Sequence, residues 1–144
     1  MTDAELTHEI IGAAIAVHKE LGPGLLENVY EECLCQELSL RGISFEKQQP
    51  IPVVYRGTKL DCGYRADIVI CGRVIVEIKA ISALAPIHEA VMLTYLRLSE
   101  CRIGLLINFH SPTLKDGIRR FVWHYDGNQD QETKRRDAED AENA

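Results

Sequence analysis

Tyr64-Arg65-Ala66-Asp67-Ile68-Val69-Ile70-Cys71-Gly72-Arg73-Val74-Ile75-Val76-Glu77-Ile78-Lys79 reads as two β-branched runs joined at a Cys-Gly turn. Asp67 opens the first run, and Glu77-Ile78-Lys79 closes the second. Charged residues rarely sit inside such runs unless they are paired or bind a metal. Residues two apart on a strand share a face, so Glu77 and Lys79 point the same way. Two carboxylates and an ammonium meeting at one spot are the donors needed to hold a divalent cation and polarise a water for attack on a phosphodiester.

Whether Asp67 joins them depends on the turn. With a two-residue turn at Cys71-Gly72, Ile70 faces Arg73, Asp67 faces Val76, and Glu77 points to the opposite side. With a three-residue loop, Cys71-Gly72-Arg73, Ile70 faces Val74 and Asp67 faces Glu77. Cross-strand partners share a face, so a slip of one residue decides whether a site exists. Both faces of the runs are apolar, so periodicity does not choose between the registers. The three-residue loop is expected, because Gly72 can supply the positive φ that such loops need.

Working outward, Thr2-Asp3-Ala4-Glu5 forms a capping box that opens a helix running to about residue 21. Gly22-Pro23-Gly24 ends it, and a second helix is expected from about Leu26 to Leu40. Residues 45–55 are extended, with Pro50 and Pro52 placing them at a sheet edge. A turn at Arg56-Gly57 leads into a long strand over 58–70, with an irregularity at Gly63, and a further strand covers 73–79. Pro86 suits the first turn of a helix reaching Ser99. Ile103 to Phe109 is a buried strand, and Ile118 to His124 is a final amphipathic piece. The order implies an α/β (α+β) fold with a mixed central β-sheet flanked by helices.

The chain has 144 residues, 46% of them apolar, which suits one domain over residues 1–125. From Asp126 to Ala144 there are seven acids against three bases and few apolar side chains, so a disordered acidic tail is expected. The net charge of −6 argues against broad nucleic-acid affinity, but more than half of it lies in that tail. The five cysteines are odd in number and lack a CxxC pair, so reduced thiols are expected rather than disulfides or zinc. No apolar run approaches the ~20 residues of a membrane span. Met1-Thr2-Asp3-Ala4-Glu5-Leu6 is not a signal peptide, which makes the cytoplasm the expected location.

Asp67 followed by Glu77-Ile78-Lys79 resembles the signature of the PD-(D/E)XK nuclease superfamily. Gly24-Leu25-Leu26-Glu27-Asn28-Val29-Tyr30 resembles the motif of the GxxExxY family, a branch of that superfamily. Leu21-Gly22-Pro23-Gly24, Tyr95-Leu96 and Leu106-Ile107-Asn108-Phe109 are similar to that family as well, so the likeness runs over about residues 5–125. The resemblance implies a restriction-endonuclease-like core, Mg2+ (or Mn2+) as cofactor, and hydrolysis of phosphodiesters in DNA or RNA. By position, Asp67, Glu77 and Glu27 would be catalytic metal ligands, joined by the backbone carbonyl of Ile78. Lys79 would orient or activate the water, and Tyr30 and Tyr95 would bind substrate, while Arg65, ahead of the Asp67 strand, is a basic side chain suited to contact a substrate phosphate. Nucleases of this type often carry a glutamine four residues before that tyrosine, where this chain has Val91.

Other readings of the same residues stay open. Glu77 and Lys79 suit a same-face salt bridge, and Asp67, Glu77 and Lys79 together suit a buried ion network. Glu27 suits the first turn of a helix, and Tyr30 suits a core aromatic with a satisfied hydroxyl. Val91 and the acidic charge also fit a nuclease-fold protein that binds without cleaving. A homodimer is the expected oligomer on general symmetry grounds, and no membrane partner is expected.

Overall fold

The computed structural model describes residues 1–123. Helix α1 (Asp3–Leu21) opens on the expected capping box: the Thr2 hydroxyl accepts the Glu5 N–H and the Glu5 carboxylate accepts the Thr2 N–H, each at 3.1 Å. Helix α2 (Glu27–Leu40) follows the Gly22-Pro23-Gly24 loop. Then come β1 (Phe45–Pro50), β2 (Val53–Tyr55), β3 (Thr58–Leu60), β4 (Arg65–Ile70) and β5 (Val74–Lys79). Helix α3 (Pro86–Leu98), β6 (Ile103–Asn108), a short 3-10 turn (Leu114–Gly117) and β7 (Ile118–Val122) complete the described chain.

A five-stranded sheet runs in the order β1-β4-β5-β6-β7. Its pairs are antiparallel except β5 and β6, which are parallel and joined by the α3 crossover. Helices α1 and α2 bury one face, over Ile68, Ile70, Val74, Val76, Ile78, Leu105 and Ile107. Helix α3 buries the other, with Met92, Tyr95 and Leu96 over Ala66, Val69, Ile75 and Leu106. Cover on both faces is why β4 and β5 read as apolar throughout rather than alternating. This is the expected mixed α+β architecture, consistent with a restriction-endonuclease-like fold.

Two expectations are corrected. The extended run 45–55 and the strand 58–70 are each broken, because β2 and β3 pair with each other in a separate two-stranded hairpin. Pro50 ends β1 and Pro52 lacks an N–H, so the run cannot continue along the ladder. The bend at 61–64 is held by the Asp61 carboxylate, which accepts the Gly63 N–H at 3.0 Å. The closing amphipathic piece is strand β7 at the sheet edge, and its last residue, His124, lies outside the described residues. The tail from Asp126 also lies outside them. No helix of the described residues is long and apolar enough to cross a membrane.

The β4–β5 connection has the three-residue loop. Ile70 pairs with Val74, Val69 with Ile75 and Ile68 with Val76. The Arg73 N–H donates to the Ile70 carbonyl at 2.9 Å across a turn in which Cys71 and Gly72 both have positive φ (53° and 65°). The pairing ends at Ile68 and Val76, and the residues just beyond it, Asp67 and Glu77, both line the cavity under α3.

Candidate active site

At that step the ladder changes character. The Asp67 carboxylate turns across the gap, and its Oδ2 accepts the Ile78 N–H at 2.8 Å. Glu77, only 7% exposed, hydrogen-bonds to Asp67. Burial pushes the Glu77 carboxyl up to about 9, helped by the hydrogen bond and the charge of Asp67 and opposed by Lys79. A carboxyl buried beside a second carboxylate keeps its proton, because neither water nor an adequate countercharge stabilises the anion.

These two acids open into a cavity of about 150 Å3, whose floor also carries Lys79, Arg65 and Leu106. The wall is α3, contributing His88, Val91 and Tyr95. Helix α3 sits close because residue 104 is glycine: a Cβ there would lie 2.4 Å from Met92 Sδ. His88 is turned to its own helix end, where its Nδ1 accepts the Ala85 N–H at 2.8 Å. Arg65 donates to the Tyr64 carbonyl at 3.0 Å and to Asp61 at 3.4 Å. None of the described ion pairs joins Glu77 to Lys79, so the simple salt-bridge reading has no contact behind it.

The structure places Glu27 and Tyr30 differently. Glu27 is exposed at the first position of α2, and its Oε1 accepts the Ala80 N–H at 3.4 Å, just past the end of β5. It reaches the strand that carries Glu77 but does not line the cavity. Tyr30 is fully buried and stacked on Phe109 with ring centroids 4.5 Å apart. Its hydroxyl donates to the Gly22 carbonyl at 2.6 Å and accepts the Leu25 N–H at 3.1 Å. His110 Nε2 lies 3.1 Å from the Leu25 carbonyl oxygen. Tyr30 and His110 thus pin the loop in which Gly24 holds φ +104°, a conformation that favours glycine. The loop in turn sets the start of α2 and the position of Glu27.

Three residues near the acids have no role in the sequence reading. Gln48 on β1 donates to Glu31 Oε1 at 2.8 Å, and its amide lies 3.5 Å from Asp67 Oδ1. Its φ is +50°, left-handed in the middle of a strand, which is uncommon for any residue but glycine. Glu31 sits one helical turn after Glu27, and burial, followed by the charge of Asp67, raises its pKa. The i, i+4 spacing of Glu27 and Glu31 was the available signal. Asn108 is buried, and its side-chain amide bonds both the N–H (3.1 Å) and the carbonyl (2.9 Å) of Ile81, fixing the chain leaving Lys79.

The fold therefore brings Asp67, Glu77, Lys79, Arg65 and Tyr95 to one cavity, leaves Glu27 beside it, and buries Tyr30 behind it. Among the described residues no group of three or more His, Cys, Asp or Glu side chains is gathered as a metal cluster. The acids at the cavity are a pair. A pair fits Mg2+, which is commonly bound through one or two carboxylates and fills its remaining positions with water and substrate phosphate.

A family model described as the PD-(D/E)XK nuclease superfamily matches residues 4–121 of this chain. No curated protein and no solved structure matches it.

Proposed function

The chain belongs to the PD-(D/E)XK nuclease superfamily, and from that membership and the cavity geometry we propose that it is a metal-dependent nuclease hydrolysing phosphodiester bonds of DNA or RNA. The observation that carries this is the meeting of Asp67, Glu77 and Lys79 in one cavity. Within the superfamily, the order Gly24…Glu27…Tyr30 supports the GxxExxY branch.

In this reading Asp67 and Glu77 would hold Mg2+ or Mn2+, with the Ile78 carbonyl as a further donor and Glu27, beside the cavity, as an outer one. When bound, the cation supplies positive charge to a phosphate oxygen and makes a coordinated water more acidic. The remaining work falls to the protein. The Ile78 N–H holds Asp67 in place from behind, and α3 keeps bulk water from Glu77. Lys79 orients the attacking water and stabilises the negative charge that grows on the phosphorus oxygens. Arg65 and Tyr95 border the approach of the substrate strand. Bringing two carboxylates to ~4 Å costs roughly 4 kcal/mol at an effective dielectric near 20, and a divalent cation relieves that cost. The proton on Glu77 is the metal-free protein's other means of relieving it.

The test is cleavage of mixed single- and double-stranded DNA and RNA in Mg2+, Mn2+ or chelator. Wild type should cleave at least one substrate only with metal, and Asp67→Asn and Lys79→Ala should not. A second reading, a nuclease-fold protein that binds nucleic acid without cutting it, is favoured by Val91 at a position often held by glutamine. Metal binding with no turnover on any substrate would decide for it.

A further inference from the structure

Beside the acidic cavity, and sharing Val91 and Tyr95 with it, is a second hollow of about 140 Å3. One wall is Tyr64, the residue before Arg65; the other is the outer side of α3, with Ile87, Val91 and Thr94. Those helix positions follow the i, i+4, i+7 spacing of a single face. Ile87 is 64% exposed, Tyr64 43% and Val91 39%. A helix lying on a sheet normally turns polar side chains to solvent, so an apolar strip ending beside the Asp67–Glu77 pair calls for an occupant. Tyr64 is held in position by Tyr95, edge-on with ring centroids 5.7 Å apart.

The hollow combines an aromatic ring, an aliphatic floor and an immediate neighbour carrying Arg65 and Lys79. An occupant must offer an apolar, stackable face on one side and a phosphate on the other. A nucleotide with an unpaired base does both. A base within a duplex has its faces covered by its neighbours and offers only its edges, whereas a single strand presents a free face to aromatic side chains. We propose that this hollow is a stacking subsite for an unpaired base next to the phosphodiester at Asp67 and Glu77, so that the substrate class is single strands and frayed ends. This rests on the nuclease reading above. It also gives Val91 a use: the aliphatic side chain floors the subsite where a glutamine would place an amide.

The experiment separates the two readings by measuring binding apart from turnover. Labelled mixed-sequence single-stranded DNA, single-stranded RNA and blunt duplex DNA are titrated with wild type, Tyr64→Ala, Tyr64→Phe and Val91→Gln in chelator, followed by anisotropy. Base stacking on one aromatic ring predicts that Tyr64→Ala weakens single-strand binding about tenfold while Tyr64→Phe retains it. Val91→Gln should weaken it as well, and duplex binding should change in none of them. Whichever single strand binds more tightly names the sugar. The inference is overturned if single strands bind no better than duplex, or if Tyr64→Ala leaves their affinity unchanged. It is also overturned if Tyr64→Ala only dissociates a dimer of this chain, since the strip is then covered by a second copy. Ring-dependent strand binding without cleavage in Mg2+ or Mn2+ would sink the catalytic reading and leave the subsite. Duplex cleavage indifferent to Tyr64 would do the reverse.

Discussion

Asp67 Oδ2 accepts the backbone N–H of Ile78 at 2.8 Å, so the acid on β4 is fixed by the strand that carries Glu77. The contact replaces a rung of the ladder with a side chain and sets the carboxylate pair beside Lys79. Lys79→Ala removes one donor to the reacting phosphate and leaves both carboxylates in place. Turnover should fall by about 10²- to 10³-fold, the usual cost of one lost electrostatic donor, with metal affinity retained. Single-turnover cleavage and metal titration on the same samples check both halves.

The pH dependence of stability has a defined sign. Glu77 holds its proton in the folded, metal-free protein up to about pH 9, against an ordinary value of 4.5. The folded state therefore binds more protons than the unfolded state between those values. The stability that Glu77 contributes is complete below its unfolded pKa and is lost as pH rises through the folded one, by at most roughly 1.4 kcal/mol per pH unit. Glu31, shifted in the same direction, adds to the slope. Urea unfolding in chelator should show stability declining from pH 5 to pH 9, and Glu77→Gln should flatten that decline. An unchanged slope in the variant would remove Glu77 as its source.

Gln48 holds a left-handed backbone to aim its amide at Glu31 and Asp67. Gln48→Gly relieves the backbone conformation and deletes the amide. The first effect is of order 1 kcal/mol favourable and the second similar and unfavourable. Stability should change little while cleavage falls, because the acids lose a fixed neighbour. Equal losses of stability and activity would mean that Gln48 serves only the fold.

Tyr30→Phe keeps the ring on Phe109 and deletes the hydroxyl that bridges the Gly22 carbonyl and the Leu25 N–H. Leaving such groups unmatched should cost about 1–3 kcal/mol of stability. The folded fraction should retain its KM, since the hydroxyl faces the loop and not the cavity. A raised KM with unchanged stability would support the substrate-binding role expected for this tyrosine.

What could be read in advance followed from local chemistry. The capping box at Thr2, the helix start at Pro86 and the three-residue hairpin loop each depend on a few neighbouring residues, and each stands in the structure. Register at that loop does not follow from alternation, because two covered faces erase the pattern that normally sets it. The break of the 45–70 region into β1, a separate hairpin and β4 was missed, because extended residues look alike whether they join the main sheet or fold back on themselves. Glu31 was missed because it lies outside the motif, although it shares a helix face with Glu27. Gln48 could not have been found, since its role comes from a backbone conformation and from neighbours 17 and 19 residues away. The burial of Tyr30 depends on Phe109, which the chain brings to it only through β6.

The most direct test is calorimetric titration of Mg2+ into the protein at pH 7.5 in two buffers of different ionisation enthalpy. A cation held by both Asp67 and Glu77 must displace the Glu77 proton, so wild type should release about one proton per ion bound, while Glu77→Gln should release none and Asp67→Asn should bind far more weakly. Binding with no proton release, or the same heats in wild type and Asp67→Asn, would contradict the account.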